Sequence, residues 1–381
     1  MKNQFTCPRC GNTDPRYVGI KNGEPYCRRC IAFQGQEAVN EPLPPKSVEL
    51  SLPYSLSKDQ KALSDRIVSN FIQGIDTLVY AVCGSGKTEI SYAVIAYAMS
   101  KGMKVGFALP RRDVVIELYH RLKSAFPDQK VIAVYGGNND TIEGDLIILT
   151  THQLYRYPEY FDLLVMDEID AFPFKGNEAL IGLYKKSLKG HCLMMSATPS
   201  RAIVSEFSVG NREMLTLHTR FHKQPIPVPR AQNVLAPAQI MYLLKKLCVY
   251  QKEKKPCFVF VPTVELSESI FNQLKYFLPN GDYVSSKRPE RTEIIEKFKK
   301  GELQYLITTA VLERGITVKN LQVIVLRADN AIYDAAALIQ IAGRAGRKAD
   351  APTGEVIFYY ERLTPAISKA IEEIRYCNTF L

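Results

Sequence analysis

Hydrophobic positions cluster in short runs bounded by turn or loop residues, as strands buried on both faces of a parallel sheet read. In the first half these runs are 77–82 (Thr-Leu-Val-Tyr-Ala-Val), 161–166 (Phe-Asp-Leu-Leu-Val-Met) and 192–195 (Cys-Leu-Met-Met). The second half repeats the pattern at 257–261, 305–309 and 323–326, with helical spacing over 264–277 and 290–300. Strands alternating with helices predict an α/β chain with two parallel-sheet lobes in tandem. Length agrees, since 381 residues at roughly 150 per domain give two or three domains.

Composition is ordinary, at 46% hydrophobic and 23% charged, which excludes a disordered or fibrous chain. No apolar run reaches the ~18 residues of a membrane span, and the first residues carry no signal-peptide core. The expectation is a soluble intracellular protein. Net charge is +10, which suits a polyanionic partner, nucleic acid first and an acidic membrane surface second.

The nine cysteines separate into two groups. Cys7, Cys10, Cys27 and Cys30 form C-x2-C-x16-C-x2-C, a spacing that presents four thiolates to a tetrahedral Zn2+, with Pro8 and Gly11 in the first turn. All four positions serve as ligands, so the predicted zinc is structural, and so short a segment needs the metal to fold. Lys2, Arg9, Arg16, Lys21, Arg28 and Arg29 outnumber Asp14 and Glu24 there. That surplus either offsets the thiolate charge or touches phosphates. Pro42, Pro44 and Pro45 mark an extended linker behind the module. The predicted boundaries are 1–35 for the zinc module, 36–50 for the linker, 51–224 for the first lobe and 225–381 for the second.

The strand at 77–82 runs into Cys83-Gly84-Ser85-Gly86-Lys87-Thr88 and then a helical stretch to Ser100. Strand, glycine loop and helix form the setting of a phosphate loop, whose N–H groups converge on phosphate oxygens. Lys87 is predicted to reach the β- and γ-phosphates and Thr88 to ligate Mg2+. After the strand at 161–166 come Asp167, placed for Mg2+, and Glu168, placed to orient the attacking water. Ser196-Ala197-Thr198 puts two hydroxyls at a third strand tip. Gln340-Ile341-Ala342-Gly343-Arg344-Ala345-Gly346-Arg347 ends a helix with two arginines, the side chain that stabilises charge on a transferred phosphoryl group.

Lys87-Thr88, Asp167-Glu168-Ile169-Asp170, Ser196-Ala197-Thr198 and Gln340-x2-Gly343-Arg344-x-Gly346-Arg347 resemble, in order and spacing, the motifs of superfamily 2 helicases over about residues 50–365. With the four-cysteine module ahead of both lobes and Asp-Glu-Ile-Asp-Ala-Phe-Pro-Phe at 167–174, the chain resembles more narrowly the ComFA family, late-competence DNA-uptake ATPases of Gram-positive bacteria. The resemblance implies two RecA-like lobes, ATP and Mg2+ as cofactors, and single-stranded DNA as the track. It further implies Gln60, Gly84, Ser85, Gly86, Lys87 and Thr88 at the nucleotide; Arg111, Arg112, Thr150, Thr151 and Thr309 at the strand; and Gln340, Arg344 and Arg347 in catalysis. Ser196, Thr198 and Gly315 would couple hydrolysis to lobe movement. It implies ComFC as companion, the channel ComEC as recipient of the strand, and peripheral association with the inner face of the cell membrane.

Ile169 stands where Asp-Glu-Ala-Asp RNA helicases carry alanine, and the second lobe ends soon after its arginine motif, which favours translocation over strong unwinding. A PriA-like restart helicase, whose cysteine cluster interrupts the second lobe, an RNA helicase and an ATP-switched adaptor are the alternatives.

Overall fold

A computed structural model describes residues 5–52, 54–285, 288–309 and 317–381. The described chain divides into two units. The first holds the residues up to Ala81 together with Gly86–Leu217; the second holds Val82–Ser85 and His218–Leu381.

The first unit opens with a hairpin, β1 (Val18–Lys21) against β2 (Glu24–Cys27). Its turn is Asn22-Gly23 with φ of 53° and 84°, the pair of left-handed residues that a tight hairpin turn demands. Seven parallel strands follow: β3 (Asp76–Ala81), β4 (Val105–Leu109), β5 (Val131–Val134), β6 (Leu146–Thr150), β7 (Phe161–Met166), β8 (Leu188–Ser196) and β9 (Arg212–Leu217). Their order is β5-β6-β4-β7-β8-β3-β9. Val105, Phe107 and Leu109 face one hydrophobic cluster, and Ile147, Leu149 and Leu164 another, so both faces are covered and the strands read as unbroken apolar runs.

The second unit repeats the plan with β10 (Arg230–Asn233), β11 (Cys257–Phe260), β12 (Gly281–Val284), β13 (Tyr305–Thr308), β14 (Gln322–Val325) and β15 (Val356–Tyr360), ordered β10-β15-β14-β11-β13-β12 and all parallel. The two tandem parallel-sheet lobes expected from the sequence are present. The helical stretch expected after Cys83–Thr88 is two pieces, Lys87–Ile90 and Tyr92–Ser100, meeting at Ser91.

Residues 36–50, expected as a linker, lie along the first unit. Ala38 N donates to the Arg156 carbonyl (2.8 Å), Lys46 N to that of Ser100 (3.2 Å), and Ser51 N to that of Ala125 (2.9 Å). Val48, Leu50 and Leu52 pack on the hydrophobic cluster under the sheet. The prolines leave few backbone donors to satisfy, and the alternating apolar side chains hold the strap down.

The four cysteines belong to the same cluster as Ile169, Phe174, Leu180 and Leu183 of the first lobe. Gly182, on the helix Glu178–Ser187, permits this contact, since a Cβ there would come 1.9 Å from the Cys10 carbonyl oxygen. Arg29 bonds Glu178, and Tyr155 Oη donates to the Gln34 carbonyl at 2.8 Å. The cysteine module is docked rather than tethered.

Candidate functional site

The segments that follow β3, β7 and β8 leave the carboxyl edge of the first unit's sheet, where parallel strands place their ligands. After β3, Gly84 and Gly86 take φ of 83° and 81°, conformations that require glycine. Lys87 Nζ donates to the Ala81 carbonyl at 2.9 Å, so the lysine folds back over the end of its own strand. Gln60 is buried; its side chain accepts from Ser57 N (2.9 Å) while Ser57 Oγ accepts from Gln60 N (3.2 Å). This reciprocal cap starts the helix Lys58–Ile72 and sets the amide against Gly86, where a Cβ would lie 2.2 Å from Nε2. Glu89, next to Thr88, bonds Arg121 and accepts from Tyr54 Oη at 2.9 Å. Burial and the Glu89 charge push the Tyr54 phenol up to about 12, so it stays a donor.

β7 delivers Asp167, which is buried, and Glu168, which sits at φ 56° with its N–H on Asp167 Oδ1 at 2.7 Å. Left-handed backbone at a glutamate is uncommon and turns the chain sharply at this strand end. Asp170, the fourth residue of the Asp167-Glu168-Ile169-Asp170 motif and given no role from sequence, is the acceptor that organises the next strand tip. Its carboxylate takes Ser196 Oγ and Thr198 Oγ1, both at 2.7 Å, and Thr198 N donates to Ser196 Oγ at 3.0 Å. The fourth letter of Asp-Glu-Ile-Asp was the available signal.

The expected strand-contact residues follow β4 and β6. Arg111 precedes the helix Arg112–Ala125, and the Arg112 guanidinium lies 4.8 Å from the Tyr135 ring centroid. Thr150 and Thr151 are buried. His152 meets the ring of Phe33 at 5.9 Å, and burial lowers its pKa.

In the second unit, Gln340 lies in the last turn of the helix Ala335–Ala342 and accepts from Cys83 Sγ at 2.9 Å. Arg344 is buried, Arg347 is half-buried with Nε on the Gly343 carbonyl at 2.9 Å, and Thr309 is buried. Gly315, with Glu313 and Arg314, lies outside the described residues.

Arg220 carried no sequence signal. It is 1% exposed, and its guanidinium donates to the carbonyls of Cys83 (3.2 Å), Gly343 (3.1 Å), Ala345 (2.9 Å) and Gly346 (2.6 Å). Burial, then the nearby Arg347 charge, lowers its pKa to about 10, which leaves it protonated at neutral pH. A charge held by carbonyl dipoles fixes the backbone of all four residues.

The cysteine sulfurs lie within 4.8 Å of one another, with Cys7–Cys30 at 3.4 Å and Cys10–Cys27 at 3.7 Å. Tetrahedral Zn–S bonds of about 2.3 Å set sulfur–sulfur edges near ~3.8 Å, so the donor set fits zinc. Burial raises the thiol pKa of Cys10 to about 11 and pushes Cys30 up as well, so the cluster needs a cation to ionise fully.

The family models for a DEAD/DEAH box helicase and a helicase conserved C-terminal domain match residues 58–206 and 239–349. "Competence protein ComFA" of Bacillus subtilis is 33% identical over 99% of this chain and 86% of its own length; that of Streptococcus pneumoniae is 32% identical over 99% and 91%. The helicase RecG of Thermotoga maritima is 25% identical over 78% of this chain and 41% of its own. Among solved structures, S. cerevisiae Dbp5 bound to RNA and ADP BeF3 superposes with a TM-score of 0.67 at 17% identity, covering 86% of this chain and 88% of that one. RecG bound to a three-way DNA junction gives 0.61 at 17% identity over 88% and 48%. These likenesses bear out an ATP-hydrolysing enzyme of the helicase and translocase type. The chain belongs to the ComFA family, within the DEAD/DEAH-box class of helicases.

Proposed function

We propose that this protein is an ATP-driven translocase on single-stranded DNA that serves DNA import in natural transformation. The similarity to competence proteins across nearly the whole chain, cysteine module included, carries this reading. Helicase domains alone would support no more than the enzyme class.

In this account Gly84, Ser85, Gly86, Lys87 and Thr88 hold the triphosphate, with Gln60 beside the loop. Thr88 and Asp167 are the residues to hold Mg2+, which neutralises charge on the β- and γ-oxygens. Glu168 orients the attacking water, and Gln340, Arg344 and Arg347 act on the phosphoryl group. Arg111, Arg112, Thr150, Thr151 and Thr309 lie along the strand path, through their backbone where the side chains are buried. Ser196, Thr198 and Gly315 couple the hydrolytic state to strand affinity, and loss of the γ-phosphate supplies the differential affinity such a switch requires. Cys7, Cys10, Cys27 and Cys30 hold a structural Zn2+. ComFC and the channel ComEC are the proposed partners. No helix among the described residues is long and apolar enough to cross a membrane, and attachment at the inner face of the cell membrane would be peripheral.

Displacement of streptavidin from the end of a biotinylated single-stranded oligonucleotide tests the reading. ATP-dependent displacement supports a motor; slow hydrolysis without displacement supports a nucleotide switch instead.

A further inference from the structure

Between Met166 and Phe174 the chain exposes one side chain fully. Ile169 and Ala171 are 2% exposed and Phe174 is 5%, whereas Phe172 stands 80% exposed. The loop beneath it is well anchored. Ala171 N donates to the Glu168 carbonyl (2.8 Å), Lys175 N to that of Ala171 (2.9 Å), and Asn177 N to that of Phe174 (3.1 Å). Asp170, two residues before Phe172, is pinned by Ser196 and Thr198. Phe174, two residues after, sits in the hydrophobic cluster with Leu180 and Leu183. A loop with this much internal structure could fold its phenylalanine inward; holding the ring in water sacrifices ~2 kcal/mol of burial.

The sheet order gives that ring a place. The strands run β6-β4-β7-β8-β3 and are parallel, so their following loops share one edge. β6 and β4 lead into Thr150-Thr151 and Arg111-Arg112; β8 ends at Ser196 and β3 leads into the proposed phosphate loop. β7 lies between the two groups, and the loop after it begins with Asp167-Glu168 and reaches Phe172. An aromatic face there meets what a phosphate-binding surface cannot hold, a nucleobase.

We propose that Phe172 is a base-stacking platform for single-stranded DNA, placed so that an engaged base bears on the Asp170–Ser196–Thr198 bonds. The proposal rests on the strand-motor reading above. Stacking is sequence-tolerant, because every base has a π-face, and it favours single strands, because duplex bases are already stacked.

The chain contains no tryptophan, so Phe172→Trp places a single tryptophan at the position in question, excited at wavelengths that its 21 tyrosines do not absorb. Oligo-dT is expected to quench this emission saturably, while an abasic oligonucleotide of equal length, with the same phosphates, leaves it bright. Phe172→Ala is expected to raise the oligo-dT concentration giving half-maximal stimulation of hydrolysis about tenfold. With the abasic strand, Phe172→Ala and the unaltered protein are expected to match. Equal quenching by both strands, which reports the sugar-phosphate backbone and not a base, or an unchanged half-maximal concentration in Phe172→Ala, overturns the assignment. An unaltered protein that no strand stimulates overturns the motor reading, and the Phe172 assignment with it.

Discussion

The Ser196 hydroxyl donates to Asp170 Oδ1 at 2.7 Å, a buried bond joining the loop after β7 to the tip of β8. The second carboxylate oxygen takes Thr198 Oγ1 at the same distance. Two residues of the proposed coupling element thus depend on a carboxylate three positions after the proposed Mg2+ ligand Asp167.

Asp170→Ala leaves both hydroxyls without that acceptor, a penalty of about 1–3 kcal/mol per stranded buried group. The expected outcome is retained ATP binding with strand stimulation reduced at least about tenfold, read by nucleotide-binding fluorescence beside steady-state hydrolysis. Stimulation of normal size in Asp170→Ala contradicts the coupling role.

Lys87→Ala and Glu168→Gln are expected to abolish turnover while leaving strand binding in place. Filter binding of a labelled oligonucleotide measured with phosphate release checks both halves. Turnover retained in either variant removes that residue from catalysis.

Arg344→Ala is expected to bind ATP yet hydrolyse it ~10^3-fold more slowly, as loss of an arginine finger does. Arg344 is buried, so the thermal midpoint is read in parallel with phosphate release. A near-normal rate removes Arg344 from that role.

Removing the metal is expected to lower the stability of the first lobe as a whole, because the cysteines share a cluster with Leu180 and Leu183. Gly182→Ala, which drives a Cβ onto the Cys10 carbonyl, is expected to cost about 1–3 kcal/mol with zinc still bound. Calorimetry with metal analysis distinguishes the two. An unchanged lobe transition after complete zinc loss shows that the docking carries no stability.

Motifs whose chemistry dictates neighbouring residues were legible in the sequence. The proposed phosphate loop, Asp167-Glu168 and the cysteine pairs each compress a geometric demand into a few adjacent positions. The buried strands β3, β7 and β11 were legible because both of their faces are covered. Arg220 was not legible: its partners are main-chain carbonyls of Cys83, Gly343, Ala345 and Gly346, and a carbonyl has no sequence signature. The docked strap was obscured by its prolines, although Val48, Leu50 and Leu52 alternate as a half-buried extended segment does. The Ser57–Gln60 cap is written as Ser-x-x-Gln, a helix-start signal that stands in the sequence itself.

The most direct test of the central claim is steady-state ATP hydrolysis by the full chain, alone and with single-stranded DNA, duplex DNA and single-stranded RNA, with Lys87→Ala as control. Strong stimulation by single-stranded DNA, weak stimulation by the other two and none in Lys87→Ala is the predicted result. Equal or greater stimulation by RNA, or none by any strand, contradicts a single-stranded DNA motor.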